Sequence, residues 1–140
     1  MSEHAWEGYA RTNWVRVSNL KELNNSATNA GLSVKQNKDD PELFCLIADD
    51  CDLTGFPSIN PGDSTDFTFD RCIMPHIEIN QVLIAIEVGG QRFANITGYT
   101  CAFIRKEDGI ACVALHLHDI YLLAATTFKV EEKDITEAID

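Results

Sequence analysis

Basic residues are missing from a long central part of the chain. Residues 39–70 contain no lysine or arginine, although the segment carries nine acidic residues and so supplies −9 of the formal net charge of −11. A stretch of one sign repels nucleic acid and anionic membranes and attracts cationic partners. We call residues 39–70 the acidic segment, and its acidic side chains are Asp39, Asp40, Glu42, Asp49, Asp50, Asp52, Asp63, Asp66 and Asp70.

Signals for secretion and membrane insertion are also missing. No apolar run approaches the ~18 residues of a transmembrane helix, and the first residues lack the basic and apolar parts of a secretory signal. The five cysteines form no C-x-x-C pair. In the absence of a signal they are expected to be reduced and mostly buried. These absences predict a cytoplasmic protein that has no membrane partner.

Signatures of common active sites are absent as well. The chain has no glycine-rich phosphate loop, no G-x-S-x-G elbow and no basic-aromatic nucleic-acid motif. Cys45, Cys101 and Cys112 lie in apolar runs, where burial raises the pKa of a thiol and makes it unreactive. We therefore expect a protein without enzymatic activity and without a cofactor.

The composition and the order of predicted elements indicate one α+β domain over residues 1–140. Apolar residues make up 45% and charged residues 24% of the chain, as in ordinary globular proteins. The predicted order is β-α-β-β-α-β-β-β-α: a mostly antiparallel sheet with its helices on one face and a ferredoxin-like start. The predicted strands are 11–17, 32–36, 43–48, 81–88, 93–104 and 110–117, and the predicted helices follow Ser18 or Asn19, lie within 67–77 and span 120–126.

Turn residues support the last three strands and mark one long loop. Gly89-Gly90 and Asp108-Gly109 have the chemistry of hairpin turns, so strands 81–88, 93–104 and 110–117 are expected to form an antiparallel meander. Residues 49–64 contain two glycines and two prolines and are expected to be irregular. Loops of this length in compact domains are often functional.

Asp50 to Thr54 resembles the D-x-D-x-T nucleophile motif of haloacid dehalogenase-like phosphotransferases. In that family the first aspartate attacks phosphorus, the second moves a proton and magnesium bridges carboxylate and phosphate. The chain after Thr54 is short for the rest of such a fold, and its pattern predicts an antiparallel meander. The same residues match the start of an EF-hand calcium loop, but Pro61 stands where a bidentate glutamate is needed. A solvated, turn-rich loop is favoured over both sites.

Histidines near the C-terminal end offer a second candidate metal site. His116 and His118 alternate on a predicted strand, with Asp119 next to them and His76 elsewhere in the chain. Imidazole and carboxylate groups are ligands for zinc or iron. Asp119 also suits the N-cap of the following helix. A structural role for these residues is favoured, and the metal site stays an alternative.

Three stretches of the chain resemble a group of small uncharacterised bacterial proteins that are often carried on mobile elements. They are residues 10–15 (A-R-T-N-W-V), the E-V-G and G-Y parts of the meander at 87–89 and 98–99, and H-D-I-Y at 118–121. The resemblance spans most of the chain. It implies a shared fold and a bacterial or phage setting, but no activity and no catalytic residues.

The function expected from the sequence is that of an acidic, non-enzymatic binding protein that contacts a basic protein surface. Duplex DNA carries one negative charge per ~1.7 Å of axis, and the acidic segment could imitate part of that row and inhibit a basic host or defence protein. Two alternatives stay open: a metal-dependent enzyme or metal-binding protein at Asp50 and Asp52 or at His116 and His118, and a self-associating structural module, for instance a dimer. The expected binding residues are Asp49, Asp50, Asp52, Asp63, Asp66 and Asp70.

Overall fold

Seven strands form one sheet in a computed structural model that describes residues 7–48, 56, 67–91 and 94–136. The strands are β1 (Glu7–Thr12), β2 (Val15–Arg16), β3 (Leu32–Gln36), β4 (Leu43–Ala48), β5 (Val82–Gln91), β6 (Ala94–Lys106) and β7 (Gly109–His116). The α-helices are α1 (Leu20–Asn29) and α2 (Asp119–Phe128). Shorter helical turns span Phe69–Ile73 (π), Met74–His76 (3-10) and Glu132–Asp134 (3-10).

All the strand pairs are antiparallel, which confirms the α+β class with a mostly antiparallel sheet. β3 lies at one edge beside β4, whose other side pairs with β2 and β1. β1 then pairs with β5, followed by β6 and by β7 at the opposite edge. The predicted order of elements is matched only in part, because the first strand is split and the second helix consists of two short turns.

Polar side chains split the strand that was predicted over residues 11–17. The Asn13 side chain takes over part of the pairing with β5: its Oδ1 accepts the Ile84 N–H at 2.8 Å and its Nδ2 donates to the Val82 carbonyl at 3.0 Å. The buried Thr12 hydroxyl accepts the Leu46 N–H at 2.9 Å. The backbone therefore leaves the regular ladder between β1 and β2, while the Asn13 N–H still donates to the Ile84 carbonyl at 3.1 Å.

α1 begins where its capping residue predicts. The Asn19 Oδ1 accepts the backbone N–H of Glu22 at 3.1 Å, which satisfies one of the unpaired donors of the first turn. Gly31 follows the helix with a φ of +77°, a conformation that glycine adopts without strain. Leu23 and Ala27 are buried, whereas Leu20, expected on the same face, is 40% exposed.

The core lies between one face of the sheet and the helical elements α1 and 69–76. This inner face is formed by alternate residues of β5 and β6, which include the buried Leu83, Ala85, Cys101 and Phe103. Phe69 fills the centre: its ring stacks on Phe103 at 5.9 Å between centroids. The short helix predicted within 67–77 is present as two consecutive short turns, and these cover the inner face. We call the opposite side of β5, β6 and β7 the outer face.

The meander is confirmed, but its first turn is displaced. β5 continues through Gly89 and Gly90 to Gln91, which pairs with Ala94, and the register shifts between Gly89 and Gln91. Glycine in a strand is often found at such an irregularity. The second turn agrees with the sequence, since Gly109, with a φ of +145°, follows Asp108 and pairs with Lys106.

α2 does not join α1 on the inner face, so the expectation that all helices share one face is wrong. Leu117 crosses the outer face over Gly98, and its N–H donates to the Gly98 carbonyl at 3.0 Å. This crossing carries the chain to the outer side before α2 begins. Asp119, predicted as the N-cap, is instead the first helical residue, and its Oδ2 accepts the His116 N–H at 2.7 Å.

Candidate functional site: an apolar groove between the outer face and α2

The outer face of the meander has apolar side chains where water-exposed sheets usually have polar ones. Alternate residues of β5 that point to this side are valine or isoleucine, and on β7 they are glycine, alanine, valine and leucine. Val113 is 67% exposed and Leu115 is 59% exposed. An antiparallel sheet with one face in water normally alternates apolar and polar residues. This face therefore has the composition of a covered surface.

α2 is apolar on nearly all sides and is little buried. Its sequence is D-I-Y-L-L-A-A-T-T-F, and within the described structure Ala125 is its one buried residue. Ile120 is 58% exposed, and Leu122 and Leu123 are each 60% exposed. A helix that is hydrophobic all round is normally buried on all sides. Contacts among the described residues leave most of that surface uncovered.

A groove of about 640 Å³ separates α2 from the outer face. Its volume lies in the range of sites that hold small ligands or peptide side chains. Sheet residues form one wall and α2 forms the other, and both walls are mainly apolar. Lining residues include Ile86, Val88, Leu115, Leu117, Ile120 and Leu123.

A row of three polar side chains lies across the inner face, level with one end of the groove. Strand register places Glu87 beside Tyr99, and Tyr99 beside His116, although these residues are far apart in the sequence. The Tyr99 and His116 rings lie 4.4 Å apart between centroids. Burial raises the pKa of the Glu87 carboxyl, and a 2.7 Å hydrogen bond from the Phe56 N–H partly opposes that shift. Alternation along the strands turns this row to the same side as Leu83 and Phe103, so the outer-face groove stays mainly apolar.

The expected acidic binding residues fall mostly outside the described part of the chain. Asp49, Asp50, Asp52, Asp63 and Asp66 lie there, so the structure does not place them. Asp70 is described: it lies in the first turn of Phe69–Ile73 and is half-buried. Its Oδ1 is buried and has no hydrogen-bond partner among the described residues. Only part of this carboxylate is thus available to a partner.

The start of the acidic segment is partly neutralised by a basic residue from β2. The Arg16 guanidinium forms a salt bridge with Glu42 and lies 4.0 Å from the Asp40 carboxylate. The lack of lysine and arginine within the segment therefore does not leave all its acids unopposed. Sequence reasoning missed this pairing because Arg16 and Glu42 meet only when β2 pairs with β4.

The two histidines that were candidate metal ligands do not form a pair on one strand face. β7 ends at His116, and His118 stands before α2, where its ring lies 5.8 Å from that of Tyr121. Across the ranges that the structure describes, no three histidine, cysteine, aspartate or glutamate side chains are arranged to hold a metal ion. Asp50 and Asp52, the other candidates, lie outside those ranges.

The described cysteines differ in their exposure. Cys45 and Cys101 are buried, as expected from their apolar strands, and burial is the main cause that raises the pKa of Cys101 to about 11. Cys112 was expected to be buried too, but it is exposed because β7 is an edge strand with all its residues exposed.

Comparisons of the chain with protein-family models, with curated proteins and with solved structures found no match. None of the helices in the described ranges is long and apolar enough to cross a membrane.

Proposed function

We propose that this protein is a non-enzymatic binding module that associates with a protein partner through the outer face and α2. The observation that carries the proposal is a continuous set of exposed large apolar residues on these elements. We call this set the apolar patch. It comprises Ile86, Val88, Ile96, Val113, Leu115, Leu117, Ile120, Leu122, Leu123 and Phe128.

The size of the apolar patch argues for a partner. Its residues are between 43% and 72% exposed. They offer roughly 850 Å² if a fully exposed large side chain contributes about 150 Å². The largest apolar patch of a typical monomer covers roughly 300–600 Å² and is itself often functional. Association would remove this excess from water at about 25 cal/mol per Å².

The chemistry of the apolar patch argues for a partner selected by shape and hydrophobicity. It contains no charged side chain, so binding to it should depend little on salt. A complex held by the acidic segment would weaken strongly at high salt, because exposed charges are screened within ~8 Å at physiological ionic strength. The two surfaces therefore predict opposite salt responses.

Contact between the acidic segment and a basic protein surface is the second candidate function. The nine acids in 32 residues support it, while the pairing of Arg16 with Asp40 and Glu42 reduces the charge at one end. Replacing Asp63, Asp66 and Asp70 together by asparagine should then weaken such a complex mainly by slowing association.

A peptide-display selection tests the proposal. The protein is immobilised sparsely, so that single copies are presented, and random peptides are selected at roughly 0.05 and 0.5 M NaCl. We expect apolar peptides at both salt concentrations, lost with Leu123→Asp and kept with Leu20→Asp. Leu20 is a matched control because it is 40% exposed at the start of α1, where an acidic residue is favourable. Basic, salt-sensitive peptides would favour the acidic segment, and no enrichment would contradict both functions.

A further inference from the structure

We infer that the partner on the apolar patch is a second copy of this chain, joined about a two-fold axis by antiparallel pairing of the two β7 strands and packing of the two α2 helices. The inference rests on the proposed function and names its partner.

The β7 edge lacks the features that normally prevent pairing with another strand. Its outer side has no strand partner within the described residues, and all eight of its residues are exposed. Natural proteins protect such edges with lysine, proline or bulges. β7 reads G-I-A-C-V-A-L-H and contains none of these, whereas β3, at the other edge, contains Lys35 and contacts α1.

When two copies are related by a two-fold axis, the β7 edge of one can pair with the β7 edge of the other. Two copies of one strand related by such an axis run antiparallel, which is the pairing found throughout this sheet. The result is a continuous sheet across both chains. Since an isologous interface uses the same surface on both partners, the apolar patch must be complementary to itself, and apolar side chains on both sides meet that condition.

The position of α2 fits this arrangement. Two residues separate the end of β7 from the start of α2, so pairing of the β7 edges brings the two α2 helices close together on the outer side. Each helix then lies over its own open groove, and the partner covers the parts of the helix and of the groove that the chain itself leaves exposed. A helix that is apolar all round needs cover on both sides, and the second copy supplies the side that its own sheet does not.

The available area matches the need of a stable dimer. Standard interfaces bury about 800 Å² on each partner, and the apolar patch offers roughly 850 Å² by the estimate above. The centre of such an interface is normally depleted in charge, as the apolar patch is. Each chain has a net charge of −11. Salt should therefore strengthen the dimer by screening repulsion between two acidic chains.

Sedimentation equilibrium of the full chain tests the inference. Over about 1 to 100 µM protein, we expect a mass twice the 15.6 kDa of the chain, with tighter association at higher salt. Val113→Lys and Leu123→Asp should each weaken the dimer by at least about 30-fold, as expected for central interface residues. Leu20→Asp should leave it unchanged. Circular dichroism establishes that each variant is folded.

Crosslinking of the unmodified chain gives a readout that does not depend on a variant's folding. Cys112 is exposed on β7, and pairing of two β7 strands brings the two Cys112 thiols near the axis. A short bismaleimide should link the copies covalently, and Cys112→Ser should remove most of that product.

The outcomes separate this inference from the proposed function. A monomer at all concentrations that still selects apolar peptides would overturn the second copy as partner and leave the binding function standing. A monomer that selects no peptide would overturn both. A dimer that survives Val113→Lys and Leu123→Asp, or that is not linked through Cys112, would place the interface elsewhere and overturn the inference.

Discussion

Leu117 lies directly over Gly98, with no space for a side chain between them. A Cβ atom on Gly98 would come within 2.7 Å of the Leu117 Cγ and 2.9 Å of its Cδ1. The Leu117 N–H also donates to the Gly98 carbonyl at 3.0 Å. This close approach sets the path from β7 to α2 across the outer face. The position of α2, which forms the second wall of the groove, depends on this contact.

Gly98→Ala should displace Leu117 and loosen α2 against the sheet. We expect a loss of about 1–3 kcal/mol in the free energy of unfolding, the usual cost of overpacking, together with weaker association. Urea unfolding and sedimentation measure the two effects. The double variant Gly98→Ala/Leu117→Ala removes the clash and should recover part of the stability. An unaltered single variant would show that the contact does not position α2.

Arg105→Met should destabilise the packing of the turn at 74–77 on β6. The Arg105 Nη1 donates to the Ile77 carbonyl at 2.7 Å and to the Pro75 carbonyl at 2.9 Å. Hydrogen bonds from a charged group contribute about 1.5–3 kcal/mol, so we expect a loss of that order in urea unfolding. Lys106→Met is the matched control, because Lys106 is the exposed next residue, and it should change stability by less than about 0.5 kcal/mol. Equal losses of stability in the two variants would argue that the hydrogen bonds from Arg105 do not hold the turn on β6.

Thr12→Val should be destabilising although the two side chains have nearly the same shape. Thr12 is 2% exposed, and its hydroxyl accepts the Leu46 N–H while donating to the Asn13 carbonyl. Valine leaves a buried N–H without an acceptor, which costs about 1–3 kcal/mol. Thr97→Val at an exposed position should have little effect. A neutral Thr12→Val would mean that the backbone at this break in β1 and β2 finds another partner.

The local elements were predictable because their signals are local. Asn19 and Gly31 bound α1 in the sequence as in the structure, and the apolar run 43–48 is β4. The split of the first strand was not predictable, since it depends on Asn13 bonding to β5, about 70 residues later. The same holds for the row of Glu87, Tyr99 and His116, which exists only through strand register.

The sequence contains one signal of the groove, which is the apolar pattern of residues 81–88. The segment 81–88 is apolar at nearly every position rather than at alternate ones. In an antiparallel sheet such a strand needs cover on both faces. The predicted helices could cover one face, so the surplus apolar residues of this strand and of α2 agree with the binding surface that we propose. Where α2 lies could not be inferred, because it depends on the contact between Gly98 and Leu117.

Glu87→Gln should make the protein more stable at neutral pH and remove part of its pH dependence. Burial raises the pKa of the Glu87 carboxyl, so the folded state binds the proton more tightly than the unfolded state. Stability from this group is therefore full below the ordinary glutamate pKa and is lost as pH rises through the raised folded pKa. Glutamine keeps an oxygen for the Phe56 N–H but carries no charge.

Thermal unfolding from about pH 4 to pH 8 measures this effect. The variant should match the parent at the acidic end and exceed it near neutrality. The gain should be small, because the side chain is only partly buried and water screens its charge. Glu78→Gln, at an exposed position, is the control and should show no such divergence. A difference between Glu87→Gln and the parent that stays constant over this range, or a loss of stability at neutral pH, would mean that the hydrogen bond from Phe56 outweighs the cost of burying the charge.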